Sequence, residues 1–289
     1  VPLCLYRTEA NGPRQLGLID GDRVIDIEAT GGPGTLAGAL AMPLADLKAA
    51  CEAAAGGESV ALASVSLAAP VDYQEVWAAG VTYLRSRDAR MEESTQQDVY
   101  AQVYDAERPE VFLKATPDRV SNPGEPVAIR ADSTWDVPEP EVALLINADG
   151  EIAGYTIGND VSSRSIEGEN PIYLPQAKIY RACAGLGPVV ALPWEIDDPR
   201  ALSIRLEIHR DGELFFAGES STGQMRREFG ELVSWLRRCQ AELFGYGVIL
   251  MTGTGIIPPS EFTLQAGDEV RITVDGIGTL VNPVIELPV

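Results

Sequence analysis

Histidine occurs once in this 289-residue chain and cysteine four times. Each scarcity removes a class of chemistry. The single histidine, His209, ends an alternating strand candidate, Leu202 to His209, just before the hairpin turn Arg210-Asp211-Gly212-Glu213. That is a structural position, so a mechanism that needs a histidine base has only an unpromising residue to rest on. Cys4, Cys51, Cys183 and Cys239 are scattered, with neither zinc-like nor redox-motif spacing. Reduced thiols in a cytoplasmic protein are the expectation. No apolar run approaches the roughly 20 residues of a membrane-spanning helix. The start, Val1-Pro2-Leu3-Cys4, has no basic segment leading into an apolar one, so no secretory signal is expected.

Positive charge is also short. Lysine and arginine total 22 against 43 acidic residues, a net charge of −21. That balance disfavours nucleic acid and anionic membrane as partners, because phosphate binding needs basic patches. The acid excess forms no block of like charge and reads as a solvated surface, a pattern that also fits a high-salt host. Lysine is the rarer cation, present at Lys48, Lys114 and Lys178 alone. Arginine is effectively always charged, whereas a lysine amine can shift its pKa and move protons. A retained lysine is therefore informative.

What is present begins with 45% hydrophobic content, enough for a substantial core in one large domain or one large plus one small. Residues 1–69 read as a small β-rich module, with strands over Leu3–Tyr6, Gln15–Ile19 and Arg23–Asp26 and a helix over Leu44–Ala55. A second domain, 70–289, opens on the strand Val76–Gly80. The polar stretch Ser86–Asp105 reads as helical. From Pro109 short strands and Gly/Pro turns dominate, interrupted by an amphipathic helix within Met225–Leu243 that sets Phe229, Leu232, Val233, Leu236 and Leu243 on one stripe. The fold class is α+β and mainly β, with a barrel-like or rolled catalytic domain.

The most informative stretch is Pro138-Glu139-Pro140-Glu141, which opens the apolar run Val142–Ile146. Asn147-Ala148-Asp149-Gly150 follows as a turn, and Ile152–Ile157 as a second apolar run. This is a hairpin signature. With Asp149 and Gly150 as a two-residue turn, paired residue numbers sum to 299, so Glu139 faces Asp160. Opposed residues share a face, as do residues two apart on one strand. Glu139, Glu141 and Asp160 thus converge, and a hard divalent cation would offset their repulsion. A solvated acidic strand end is the competing account.

Several segments then resemble the fumarylacetoacetate hydrolase family: Glu107–Lys114, Glu139-Pro140-Glu141, Gly154–Arg164, Thr252-Gly253-Thr254-Gly255 and Gly276–Pro283. The stretch Glu167–Tyr180 is similar to the 2-keto-3-deoxy-D-arabinonate dehydratases of that family. The resemblance implies a β-roll catalytic domain with a small N-terminal α/β domain, assembled as a homodimer or homotetramer. It implies Mg2+ on Glu139, Glu141 and Asp160, with Mn2+ or Ca2+ as alternatives. It also implies a small 2-oxo sugar acid as substrate and active-site roles for Glu110 and Lys178.

The activity implied is dehydration of a 2-keto-3-deoxypentonate of the arabinonate or xylonate series to 2,5-dioxopentanoate. Lys178 is the candidate proton carrier or enolate-stabilising cation, and Glu110 the candidate to exchange a proton with the leaving hydroxyl. Arg164 is placed to clamp the substrate carboxylate or orient the metal ligands. Glu167 and Lys114 are weaker candidates beside them. Thr252, Gly253 and Thr254 offer donors near the substrate. One departure bears on the activity. Hydrolases of the family carry a histidine base in a Gly-x-Asn-Tyr-x-x-His segment. Here the stretch is Gly80–Ser86, with Ser86 in the histidine's place. The rival readings are a C–C hydrolase or decarboxylase acting on an acylpyruvate, and a non-catalytic metal-binding or ligand-sensing module.

Overall fold

Alternate residues of one strand, Pro140–Ile146, enter two different cores, and this accounts for its unbroken apolar sequence. Val142, Leu144 and Ile146 belong to one core; Ala143 and Leu145 belong to the other. A strand covered on both faces shows no polar alternation. In the computed structural model, which describes residues 1–93 and 102–289, this strand lies within a sheet of twelve strands.

The main path of that sheet runs Ser59–Ala61, Arg23–Asp26, Gln15–Asp20, Leu3–Arg7, Ala184–Ala191, Ile152–Asp160, Pro140–Ile146, Val248–Met251, Val76–Gly80 and Glu110–Ala115. The N-terminal strands join the rest where Leu3 pairs with Val190. A five-stranded sheet, Glu213–Ser221, Ser203–Arg210, Glu269–Val274, Gly278–Leu287 and Val127–Arg130, supplies the first core with Ile204, Leu206, Ile208, Val270 and Ile272. The helices Leu36–Leu40 and Leu44–Ala54 supply the second core with Leu36, Leu40 and Leu47. The architecture is the expected mainly β, α+β arrangement. The short helix Leu36–Leu40, capped by Thr35, adds to the one helix expected in the N-terminal segment.

Local expectations hold where hydrophobic period and turn chemistry agree. His209 lies in the strand Ser203–Arg210, which turns back through Asp211 and Gly212, both at positive φ, into Glu213–Ser221. This is the two-residue hairpin geometry that Asp-Gly favours. The helix expected within Met225–Leu243 is Phe229–Arg237, with Phe229, Leu232, Val233 and Leu236 buried. Leu243 does not continue the stripe and is 74% exposed. The helix stops at Arg237, Cys239 takes a left-handed φ of 62°, and the next turn buries Phe244 instead. Of the polar stretch Ser86–Asp105, a helix covers Leu84–Glu93, and residues 94–101 lie outside the described residues.

Candidate metal centre and active site

Two local irregularities cancel to bring the three carboxylates together. The backbone N–H of Asn147 donates to Glu151 O and that of Gly150 to Asn147 O, so Ala148, Asp149 and Gly150 form a three-residue loop, with Gly150 at φ 89°. A type I turn closed by a left-handed glycine is the usual build of such loops. It differs from the expected two-residue turn and offsets the register by one. A bulge between Leu145 and Ile146 puts the offset back: Ile146 pairs with Ile152, and Leu145 with Gly154, leaving Ala153 as the extra residue. From there to Pro140–Asn159 the paired numbers sum to 299. The Asp160 N–H donates to Glu139 O at 3.0 Å.

Glu139, Glu141 and Asp160 are 3%, 2% and 1% exposed. Each offers a carboxylate oxygen within 4.8 Å of the others. The protein balances two of the three itself. Lys178 Nζ donates to Glu139 Oε2 at 2.7 Å, to Asp160 Oδ2 at 3.0 Å and to Ser162 Oγ at 2.5 Å. An Arg164 Nη donates to Glu139 Oε1 at 2.7 Å. Lys114 Nζ lies 2.8 Å from Asp160 Oδ1 and donates to the carbonyls of Val161 and Lys178. Glu141 accepts the Gly253 N–H at 2.6 Å. Burial, then the negative charges of Asp160 and Glu139, push its carboxyl well above the ordinary value of 4.5, against the opposing pull of Lys178 and that N–H. An all-oxygen, buried set with one carboxylate held at high cost fits a hard divalent cation such as magnesium.

That shift sets a pH dependence. Ionised Glu141 penalises the metal-free folded state at high pH, and the penalty is relieved as pH falls through the raised value towards 4.5. The cation needs the ionised form, so its contribution runs the other way. The rise in Tm given by saturating magnesium is therefore expected to shrink as pH falls through the raised value towards 4.5. A magnesium-induced rise that stays constant across that range would contradict the assignment of Glu141 as a ligand.

The cavity at the triad is walled by Ala79, Gly80, Val81, Ser86, Glu110, Phe112, Glu139, Glu141, Asp160, Glu167, Lys178, Gly253 and Thr254. Lys114, Arg164 and Thr252 stand behind that wall. Lys114 is 0% exposed, clamped against Asp160 and the Lys178 carbonyl with its Nζ 5.8 Å from the centre of the Tyr180 ring. Arg164 grips Glu139 from behind. The Thr252 hydroxyl donates to Val142 O at 2.8 Å, and its carbonyl accepts from the Thr82 hydroxyl.

Two further residues, Gly80 and Ser162, shape the site. Gly80 pairs with Glu110, and a Cβ there would occupy the space of the Glu110 carboxylate. Ser162 joins Lys178 to Asp160; its position two residues past Asp160 was the available signal. Val161 turns to the other side, into a hydrophobic core.

Comparison with known proteins agrees with this geometry. The chain is 52% identical over 217 residues to a probable 2-keto-3-deoxyxylonate dehydratase of Haloferax volcanii, covering 74% of this chain and 73% of that one. It is 43% identical over 231 residues to the 2-dehydro-3-deoxy-D-arabinonate dehydratase of Saccharolobus solfataricus, covering 78% and 77%. A solved 2-keto-3-deoxy-D-arabinonate dehydratase, complexed with magnesium and 2,5-dioxopentanoate, superimposes over 100% of both chains with a TM-score of 0.82 and 34% identity. The family model for the C-terminal part of fumarylacetoacetate hydrolase matches residues 75–285, a span that holds the triad, Lys178 and the whole cavity wall. By that match and by these relatives, the chain belongs to the fumarylacetoacetate hydrolase family.

Proposed function

We propose that this chain is a metal-dependent hydro-lyase that converts a 2-keto-3-deoxypentonate into 2,5-dioxopentanoate and water. The observation that carries the reading is the cavity itself. A triad able to hold a divalent cation meets a buried lysine and a wall glutamate, and Ser86 stands where the hydrolases' histidine would be. Names and ligands of the relatives support the same reaction. Arabinonate and xylonate differ at carbons 2 and 3. Both stereocentres vanish in the 2-keto-3-deoxy acid, so within the D series the two relatives' names describe one substrate.

Glu139, Glu141 and Asp160 would hold the magnesium, whose positive charge would make the C3 protons of a 2-oxo acid more acidic. Lys178 projects into the same cavity and carries the C3 proton. Glu110, given room by Gly80, delivers a proton to the C4 hydroxyl as it departs as water. Tautomerisation through C5 then yields the aldehyde, and the atoms balance as substrate minus one water. Arg164 and Lys114 hold Glu139 and Asp160 in place from behind. Glu167, Gly253 and Thr254 line the path of the substrate. The resemblance further supports a homodimer or homotetramer with a small N-terminal domain; the scattered cysteines support a cytoplasmic setting, and Ala69-Pro70 with the strand after it supports a division at 1–69 and 70–289. Among the described residues, no helix is long and apolar enough to cross a membrane.

Incubation with racemic 2-keto-3-deoxypentonate and magnesium is expected to consume one enantiomer and release an equal amount of aldehyde. Release of pyruvate, or no consumption of either enantiomer, would overturn the proposal.

A further inference from the structure

We propose that Ser86 binds the hydroxyl-bearing end of the substrate and thereby sets the preference for a sugar acid over a bare 2-oxo acid. This deepens the hydro-lyase reading and rests on it. Ser86 is 4% exposed and lies in the wall of the cavity that holds the triad. Its hydroxyl makes no hydrogen bond to another described residue, whereas the other polar groups of the wall are already committed. The Thr254 hydroxyl donates to Ile256 O at 3.3 Å and accepts the Ile256 N–H at 3.2 Å. The Gly253 N–H is taken by Glu141, and Lys178 bonds Glu139, Asp160 and Ser162. Glu110 and Glu167 are carboxyl groups already given to proton delivery and to the path of the substrate. A hydroxyl in the cavity wall with no partner among the described residues keeps both its donor and its acceptor capacity for a ligand hydroxyl.

The backbone holds Ser86 firmly in register with the triad. It sits in the first turn of the helix Leu84–Glu93. The turn ahead of that helix carries Val81 at φ 54°, a costly conformation for a β-branched residue. Two latches hold the turn: the Thr82 hydroxyl donates to Thr252 O at 2.7 Å, and Thr82 O accepts the Arg226 N–H at 2.9 Å. Thr252 is in turn bonded to Val142, the neighbour of Glu141. A substrate whose carboxylate and keto oxygens are held at the triad must direct its C4 and C5 hydroxyls along the remaining wall. Ser86 offers a hydroxyl there that is uncommitted among the described residues and can both donate and accept.

The test separates the two ends of the ligand. Ser86→Ala is expected to raise KM for the five-carbon acid about tenfold with kcat within about twofold. The magnesium-dependent affinity for oxalate, which offers only the chelating end, should not change. The same split is expected by calorimetry in a Lys178→Met background, where binding is read without turnover. An unchanged KM, or an oxalate affinity that falls in step with it, would overturn the role of Ser86. Absence of dehydration by the unmodified chain would instead sink the hydro-lyase reading, and the binding comparison would still decide Ser86.

Discussion

Replacing Lys178 with methionine is expected to lower kcat for dehydration about a thousandfold while magnesium remains bound. Methionine keeps most of the length and the apolar stem, and it removes the three donors. In the folded chain those donors reach Glu139, Asp160 and Ser162, so the amine sits between the proposed ligands and the cavity. Removing a cation leaves the three carboxylates more negative, which favours a divalent ion. The loss should therefore fall on proton transfer and not on metal affinity. The metal-free variant should also lose stability, because Glu139 and Asp160 would be buried with one cation fewer. Steady-state kinetics beside magnesium calorimetry separates the effects. Near-normal turnover would remove Lys178 from the chemistry.

Glu139→Gln should do the opposite and strike the ion first. Glu139 contributes to the triad and accepts from both Arg164 and Lys178. The amide has the carboxylate's shape, so the fold should survive, but it offers a weak neutral donor to a hard cation and faces two buried cations without charge. Magnesium affinity is expected to fall more than a hundredfold and metal-dependent turnover to vanish, measured by calorimetry and product assay. An active, magnesium-binding variant would show that Glu139 is not a ligand.

The difference between the two variants reflects what could be read from the residues alone. The convergence of Glu139, Glu141 and Asp160 was legible because strand alternation and a turn signal are both short-range. Even so, the reading reached the right register through a turn that the chain does not make. A three-residue loop and the bulge at Ala153 cancel, and nothing in a period-two pattern distinguishes that from a simple hairpin. The scarcity of lysine marks all three alike; Lys114 and Lys178 are buried beside the triad, while Lys48 is half exposed beside Glu52.

The division of labour between those two lysines was not legible. Lys114 lies 46 positions from Asp160 in the chain and meets it behind the cavity wall, through strand pairings between distant segments. The Gly80 and Glu110 pairing has the same origin. Leu243 fell on an apparent helical stripe because periodicity carries no stop signal at Arg238-Cys239, where the helix in fact ends.

The most direct test of the account is anomalous diffraction from crystals of the unmodified chain soaked in manganese, a magnesium stand-in with a usable signal. The account predicts one strong peak bonded to oxygens of Glu139, Glu141 and Asp160 at about 2.1 to 2.2 Å, extinguished in the Glu139→Gln chain. A peak elsewhere, or three carboxylates turned apart with no ion between them, would contradict it.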